Sequence, residues 1–253
     1  MSEPSKHLEQ LFFEVFEALP RQGPGNCAST AKAFALCHDL PVSPAVLDLG
    51  CGVGEQTRHL ADLTSGPIAA VDNHAPNVER LRAAIAEHGL AERISATVGD
   101  MANLNLPPAS FDLVWSEGAF YNIGLDKALR ISHKLLRSDG YLVFSDAVWC
   151  KQNPPPEVKA AFDSDYPDMG TVADVLATIE RHQFSLIGHF TLPDEAWWDD
   201  FYTPMLQRIE ELRSRYAADK EAITALDQIA REPEMHRRHS DYYAYEFFVA
   251  RRV

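Results

Sequence analysis

Glycines that follow the first strongly apolar run could hold a nucleotide-like ligand. In VLDLGCGVGEQT, Gly50, Gly52 and Gly54 come directly after residues 46–49. Glycine permits a tight strand-to-helix turn and a close approach of the backbone to a ligand. A dinucleotide fingerprint would need glycine at position 55, where this chain has Glu55. Because a carboxylate in the first turn of a helix is a poor neighbour for a pyrophosphate, the pattern argues against NAD.

Acidic residues end the apolar runs that follow. Asp72 ends IAAVD about eighteen residues after Gly54, close to the ~20-residue interval of a ribose-binding acid. A carboxylate can accept hydrogen bonds from both ribose hydroxyls. Asp100 ends ISATVGD, and Glu117 ends FDLVWSE. Together, the glycine turn and the spaced acid favour a nucleoside ligand.

The elements that must position these residues alternate along the chain. Short apolar runs at 46–50, 68–72, 94–100, 111–117 and 141–147 are separated by helical patterns at 55–64, 76–88 and 125–137. This alternation predicts a parallel sheet covered on both faces, with ligands outside the carboxyl ends of the strands. Two further strand-like runs, 184–192 and 242–253, enclose a charged helical stretch at about 204–240, and the loop after the fifth strand is a possible lid.

The N-terminal part predicts helices outside the sheet. Residues 5–19 place apolar side chains at helical spacing, which indicates an amphipathic helix packed on its own domain. A Gly- and Pro-containing turn follows, and Ser29 or Thr30 is available to cap the next helix.

Composition narrows the class of protein. A chain of 253 residues with 46% hydrophobic content fits one globular domain, and the formal net charge of −14 disfavours a nucleic-acid partner. The four cysteines form no CxxC pair, so we expect reduced thiols and no metal site. No segment reaches the ~18 apolar residues of a membrane span. We therefore expect a cytoplasmic protein that does not bind a membrane.

The motifs resemble those of the class I S-adenosylmethionine-dependent methyltransferases. The resemblance rests on LDLGCGVGEQT, VDNH, VGDM, FDLVWSEGAFYNIG and LLRSDGYLVFSDAVW. More narrowly, RQGPGN, WSEGAFYNIG and WWDDFYTP look like a bacterial subgroup of small-molecule methyltransferases with unassigned acceptors.

The resemblance implies an α/β fold and a division of the chain. We expect a Rossmann-like, seven-stranded, mostly parallel sheet whose last strand inserts antiparallel, with helices on both faces. Residues 1–44 would form an N-terminal helical cap, and residues 45–192 and 241–253 the cofactor-binding core. Residues 193–240 would form a helical insertion over the acceptor site.

S-adenosyl-L-methionine is the cofactor that the resemblance implies. Gly50 and Gly52 would face its methionine part, with Asp48 near the amino group. Asp72 would bind the ribose, and Asp100 with Met101 the adenine. The remaining predicted cofactor residues are Arg21, Gly23, Cys51, Asn73, Ser116 and Glu117. Arg21 is the predicted partner of the cofactor carboxylate, and a solvated turn residue is the alternative.

The predicted reaction is in-line methyl transfer to a small-molecule acceptor. If the acceptor must lose a proton, Glu117 is the first candidate base, Asp146 the second and His133 a weaker third. The predicted acceptor-binding residues are Tyr121, Asn122, Trp149, Trp197 and Tyr202. Core packing is the alternative for each of these aromatic residues.

Other interpretations of the sequence remain open. An NAD(P)-dependent oxidoreductase and a non-catalytic nucleoside-binding module both use related folds. The sequence leaves undecided the acceptor, the atom that is methylated, and whether the protein is a monomer or a homodimer.

Overall fold

The computed structural model describes residues 6–253, so the first five residues of the predicted N-terminal cap lie outside the described residues. Seven strands form one sheet: β1 Val46–Leu49, β2 Ile68–Asp72, β3 Ile94–Val98, β4 Phe111–Glu117, β5 Leu136–Trp149, β6 Phe184–Thr191 and β7 Tyr243–Arg252. Their order is β3-β2-β1-β4-β5-β7-β6. Strands β1 to β5 pair in parallel, and β7 is antiparallel to both of its neighbours. The predicted fold class is confirmed.

The described helices flank the sheet and form the cap. They are α1 Lys6–Phe16, α2 Cys27–Phe34, α3 Glu55–Leu63, α4 Ala75–Glu87, α5 Leu125–Leu135, α6 Pro156–Asp165, α7 Val172–Arg181, α8 Glu195–Trp197, α9 Thr203–Arg215, α10 Lys220–Ile229 and α11 Arg231–His239. A π-helical turn, Trp198–Tyr202, joins α8 to α9. No helix within residues 6–253 is long and apolar enough to cross a membrane.

Strand β1 shows why the sheet is the centre of the core. All four of its residues are buried. Val46 packs in one apolar cluster, whereas Leu47 and Leu49 pack in another. Because successive side chains of a strand point to opposite faces, an apolar run of this kind must be covered on both sides. The strand end that carries the glycine turn is therefore held firmly by the core.

A third apolar cluster joins the two ends of the chain. Leu11 and Val15 of α1 pack with Ile209 of α9 and Leu226 of α10. The N-terminal helix is thus buried against the C-terminal insertion, and the two segments form one cap. This packing explains the amphipathic pattern of α1, because its apolar side needs a partner.

Three details differ from the predicted elements. The charged stretch at 204–240 divides into α9, α10 and α11. The predicted loop after β5 contains α6. Asn26 caps α2 by accepting a hydrogen bond from the Ser29 backbone N–H, so Thr30 lies inside the helix. The Thr30 hydroxyl is 3.2 Å from the Asn26 carbonyl oxygen and 2.9 Å from Glu117 Oε1.

Candidate functional site

A cavity of about 720 Å³ lies at the carboxyl ends of the central strands. It is bounded by residues 21–24, by the turn after β1, and by the ends of β2, β3 and β4. Ten of the predicted cofactor residues line it: Arg21, Gly23, Gly50, Cys51, Gly52, Asp72, Asn73, Asp100, Met101 and Glu117. The roles of these residues toward a ligand stay predictions, but the fold brings them to one cavity.

The turn after β1 requires glycine. Gly50, Gly52 and Gly54 have φ values of 72°, 53° and 87°, a region that side chains other than glycine rarely adopt. A Cβ atom on Gly50 would overlap the Cβ of Ala119, and one on Gly54 would overlap the side chain of Leu81. The glycine turn therefore allows a ligand in the cavity to contact the backbone directly, and α3 begins immediately after the turn.

Asp72 is fixed by the backbone of two neighbouring turns. Its Oδ2 accepts a hydrogen bond from the Gly52 backbone N–H at 2.8 Å, and its Oδ1 accepts one from the His74 backbone N–H at 2.9 Å. A carboxylate has about four lone-pair sites, so acceptor capacity remains on the cavity side. The arrangement suits a ligand that presents a pair of hydroxyl groups.

Asp48 lies below the cavity wall rather than in it. Its carboxyl accepts hydrogen bonds from the Thr57 hydroxyl at 2.6 Å and from the Gln56 amide at 3.5 Å. Burial, and secondarily the negative charges of Glu117 and Asp72, raises its pKa to about 7. Gln56 lines the cavity, so Asp48 touches the site through this side chain.

Glu117 forms a buried ion pair with Arg21. The Oε2 atom accepts from Arg21 Nη2 at 2.5 Å, and the two side chains are 1% and 5% exposed. The other oxygen, Oε1, accepts from the Thr30 hydroxyl and from Trp115 Nε1, both at 2.9 Å. The Nε and Nη1 atoms of Arg21 are buried and have no hydrogen-bond partner within residues 6–253. Both residues line the cavity, and the two unpaired nitrogens of Arg21 are buried behind its surface.

The part of the cavity where the sequence predicted adenine binding is more exposed to solvent than the part around Glu117. Asp100 is exposed, and its carboxylate accepts hydrogen bonds from the Ala102 backbone N–H and from Asn103 Nδ2. Met101 is half-buried beside it. Ser116 is fully buried and donates to the Leu49 carbonyl at 2.8 Å, so it braces β4 against β1 and does not line the cavity.

The predicted acceptor residues separate into two groups. Asn122 lines the cavity, and Tyr121 lies next to it with its ring 5.7 Å from that of Tyr166. The other three belong to the apolar cluster under the cap: Trp149, Trp197 and Tyr202. Trp197 and Tyr202 are buried in this cluster and half-buried Trp149 packs against it, and a role of the three in acceptor binding stays a prediction.

Asp146 is fully buried one layer away from the cavity. Its Oδ2 accepts from the Tyr166 hydroxyl at 2.8 Å and its Oδ1 from the Ala147 backbone N–H at 2.9 Å. Burial raises its pKa to about 7. It does not line the cavity wall, and His133, on α5, does not either. A catalytic role for Asp146 stays a prediction.

Several residues of the site were not found by sequence reasoning. Gln22 and Lys127 line the cavity, and Thr30 supports Glu117 from α2. Tyr245, on β7, lies behind the cavity wall: its hydroxyl oxygen is 3.5 Å from the point where a Cβ on Gly118 would stand. Of these residues, only Gln22 lies in a sequence motif that indicated a function, RQGPGN. The others could not be found from the sequence, because their contacts join segments that are distant in the chain.

The charges of the cavity fit S-adenosylmethionine better than a dinucleotide. The acidic residues Glu55, Asp72, Asp100 and Glu117 outnumber the basic residues Arg21 and Lys127. Such a lining suits a cationic sulfonium and an ammonium group, whereas two phosphates would be repelled. Arg21 is a buried cation of this lining, and its Nε and Nη1 donors have no partner within residues 6–253, so one of them could donate to a carboxylate. Within residues 6–253, no group of three or more His, Cys, Asp or Glu side chains could hold a metal ion.

Comparisons with known proteins agree with this geometry. Residues 47–144 match the family described as Methyltransferase domain. A probable chloroplastic tocopherol O-methyltransferase of Oryza sativa is 38% identical over 117 residues, which are 44% of this chain and 32% of that protein. A dimethylglycine N-methyltransferase of Parasynechococcus marenigrum is 33% identical over 112 residues, covering 44% of this chain and 40% of that protein. The chain thus spans about a third to two-fifths of these relatives.

The fold comparison covers nearly the whole chain. A SAM-dependent methyltransferase from Geobacter sulfurreducens, solved in complex with S-adenosyl-L-homocysteine, superposes with a TM-score of 0.79 at 18% identity. The alignment covers 95% of this chain and 97% of that one. Residues 47–144 therefore match the methyltransferase domain family, and the fold of the chain is similar to that of this SAM-dependent methyltransferase.

Proposed function

We propose that the protein transfers a methyl group from S-adenosylmethionine to a small-molecule acceptor by in-line displacement. The observation that carries this proposal is that one cavity is lined by the glycine turn, by the backbone-anchored Asp72 and by Arg21, which keeps two unpaired donors. Each of the three suits the cofactor in a different way. The glycine turn allows the cofactor to approach the backbone closely, Asp72 can accept hydrogen bonds from the ribose hydroxyls, and Arg21 can donate to the amino-acid carboxylate.

When bound, the cofactor supplies a methyl group that its sulfonium already activates. The protein therefore needs mainly to align the acceptor and to exclude water, and proximity with orientation can lower the barrier by ~7–11 kcal/mol. Residues 20–26, here called the cover segment, help to exclude water. They are held over the cavity by hydrogen bonds from the Arg21 backbone N–H to the Asp200 carbonyl and from the Gly25 backbone N–H to the Ala196 carbonyl.

We place the acceptor beside Gly118 and Asn122. Both residues line the cavity at the end of β4, and Tyr121 and Tyr245 lie directly behind this wall. If the acceptor must release a proton, Asp146 is the base that we favour, because its raised pKa of about 7 suits proton exchange near neutral pH. Asp146 does not line the cavity, and its Oδ2 is held by the Tyr166 hydroxyl, so Tyr166 would have to move before Asp146 could reach an acceptor.

An amine is the acceptor class that the surroundings favour. Behind the proposed acceptor position, Asp146 accepts a hydrogen bond from the Tyr166 hydroxyl and has no Lys or Arg partner within residues 6–253. Tyrosine faces and carboxylates both attract cations. The dimethylglycine N-methyltransferase among the relatives acts, by its name, on an amine. The net charge of −14 likewise supports a small molecule over a nucleic acid.

The binding experiment is calorimetric titration of the purified protein with S-adenosylmethionine and S-adenosylhomocysteine. We expect both to bind, and absence of binding at millimolar ligand would overturn the proposal. A nicotinamide-dependent oxidoreductase would instead change the fluorescence of reduced nicotinamide cofactor on mixing. Incubation of metabolite pools, enriched in amines, with donor labelled in its methyl group then separates an enzyme from a non-catalytic module.

We propose the cytoplasm as the location. Cys27, Cys37, Cys51 and Cys150 are all free thiols in the structure, which is usual for proteins of a reducing compartment. Fractionation of cells that express the tagged protein would test this location.

A further inference from the structure

The hydrogen bonds of Glu117 leave little room for a catalytic base. Its carboxylate accepts from Arg21 Nη2, from Thr30 Oγ1 and from Trp115 Nε1, at 2.5, 2.9 and 2.9 Å. The side chain is 1% exposed. Three donors, one of them a cation, occupy both carboxylate oxygens. Taking a proton here would break a buried ion pair.

Arg21, in contrast to Glu117, has more hydrogen-bonding groups than partners. Only its Nη2 has a side-chain partner, whereas Nε and Nη1 are buried and unpaired within residues 6–253. Unpaired donors of a buried cation are rare, and they point to a partner that completes the site. Because Arg21 lines the cavity together with Gly23 and Pro24, this partner would be reached from the cavity.

Packing fixes the guanidinium in one place. Gly25 has a φ of 153°, and a Cβ there would overlap the Arg21 guanidinium and stand 2.9 Å from Glu117 Oε2. Glycine at this position therefore lets the cover segment close directly over the ion pair. The guanidinium is held between the cover segment above and the end of β4 below, with Thr30 and Trp115 fixing the carboxylate from its other side.

We infer that Glu117 is a positioning residue: it orients Arg21 so that an unpaired N–H donor of the guanidinium faces the amino-acid carboxylate of the cofactor. This inference rests on the proposed function. It replaces the expectation that Glu117 removes a proton from the acceptor. The ion pair has a second effect: because Arg21 belongs to the cover segment, its contact with Glu117 also holds this segment against the sheet.

Two ligands distinguish positioning from a general structural role. S-adenosylhomocysteine carries the amino-acid group, whereas methylthioadenosine keeps the adenine, ribose and thioether and lacks that group. Calorimetric titration of Glu117→Gln should show binding of S-adenosylhomocysteine weakened by about tenfold or more, and binding of methylthioadenosine changed by less than about threefold. Arg21→Met should show the same selective loss, and the double variant should be little worse than either single variant, because both remove one interaction.

The matched controls come from an exposed ion pair of the same residue types. Arg82 and Glu79 pair on α4 at 2.6 Å and are 46% and 66% exposed. Glu79→Gln and Arg82→Met should leave the affinity for both ligands unchanged. Thr30→Val is a milder variant that keeps the ion pair and removes one hydrogen bond to Glu117. It should weaken S-adenosylhomocysteine binding by about threefold and methylthioadenosine binding not at all.

The outcomes separate this inference from the proposed function. If the unmodified protein binds S-adenosylhomocysteine and Glu117→Gln binds it equally well, the positioning role is wrong and the proposed function stands. Equal losses for both ligands in Glu117→Gln and Thr30→Val would also overturn it, in favour of a structural role. If Glu117→Gln does not fold, Thr30→Val alone decides by the same criterion. Failure of the unmodified protein to bind S-adenosylhomocysteine would overturn both proposals.

Discussion

The side-chain amides of Gln22 and Asn77 exchange two hydrogen bonds. Gln22 Nε2 donates to Asn77 Oδ1 at 2.9 Å, and Asn77 Nδ2 donates to Gln22 Oε1 at 2.7 Å. The pair joins the cover segment to the first turn of α4. Gln22 Oε1 also lies 3.2 Å from the point where a Cβ on Gly52 would stand. The cover segment is thus fastened directly above the glycine turn.

This pair predicts how the cover segment controls ligand release. Asn77→Ala removes both hydrogen bonds, and about 1 kcal/mol of net stabilisation of the closed segment corresponds to about fivefold faster dissociation of S-adenosylhomocysteine. Stopped-flow displacement measures that rate. Gln10→Ala is the control, because Gln10 donates to Glu14 on the exposed side of α1. An unchanged dissociation rate in Asn77→Ala would show that the segment does not limit release.

Asp72 should affect every ligand that contains the ribose. Replacing it with alanine removes the acceptor that the Gly52 and His74 backbone N–H groups hold in place. We expect Asp72→Ala to weaken S-adenosylhomocysteine and methylthioadenosine alike, by about 30-fold, which corresponds to about 2 kcal/mol. Calorimetry with both ligands tests this. A loss for only one of them would contradict a ribose contact.

The glycine turn offers a test with a matched control elsewhere in the fold. Gly50 and Gly89 have nearly the same φ, 72° and 66°. A Cβ on Gly50 would overlap Ala119, whereas one on Gly89 would have no atom within 4 Å. Both alanine variants should lose about 1 kcal/mol of unfolding free energy through backbone strain. Only Gly50→Ala should lose a further 1–3 kcal/mol, roughly, through overpacking, and with it S-adenosylhomocysteine binding.

Urea unfolding measures the stabilities of these two glycine variants, and calorimetry measures their affinity for S-adenosylhomocysteine. If Gly89→Ala lost as much stability and affinity as Gly50→Ala, the close contact with Ala119 would not be the cause.

Asp146 predicts a pH dependence of stability. Burial raises its pKa from 3.8 to about 7, so the folded protein holds this proton more tightly than the unfolded chain. The associated stabilisation is complete below pH ~4 and is lost as the pH rises through ~7, and it amounts to up to about 4 kcal/mol. Asp146→Asn, which mimics the protonated acid, should lack this loss. The unfolding free energy of Asp146→Asn, relative to that of the unmodified protein, should therefore increase between pH 4 and pH 8.

Urea titrations at several pH values measure this difference directly. Asp48, whose pKa is also raised to about 7, contributes equally to both proteins and cancels in the comparison. A difference that does not change between pH 4 and pH 8 would mean that Asp146 is ionised in the folded protein at acidic pH.

The sequence alone predicted the sheet and the strand ends that surround the cavity. Alternating apolar and helical patterns are local, and burial on both faces leaves a signal in each strand such as residues 46–49. The glycine turn and Asp72 could be found because their spacing follows from one strand-helix-strand unit. Asp100 and Glu117 lie at strand ends for the same reason, and the fold brings both to the cavity.

Only the tertiary structure decided what those side chains contact. Glu117 and Arg21 are 96 residues apart, and their pairing depends on α1, α2 and the C-terminal cap packing together. The same packing placed Trp197 and Tyr202 in the core instead of the cavity. The local sequence predicts which residue ends a strand, but the partner of that residue's side chain comes from a segment that is distant in the chain. The sequence therefore determined the scaffold and the cofactor class, and the packing of the cap decided that Glu117 is bound to Arg21.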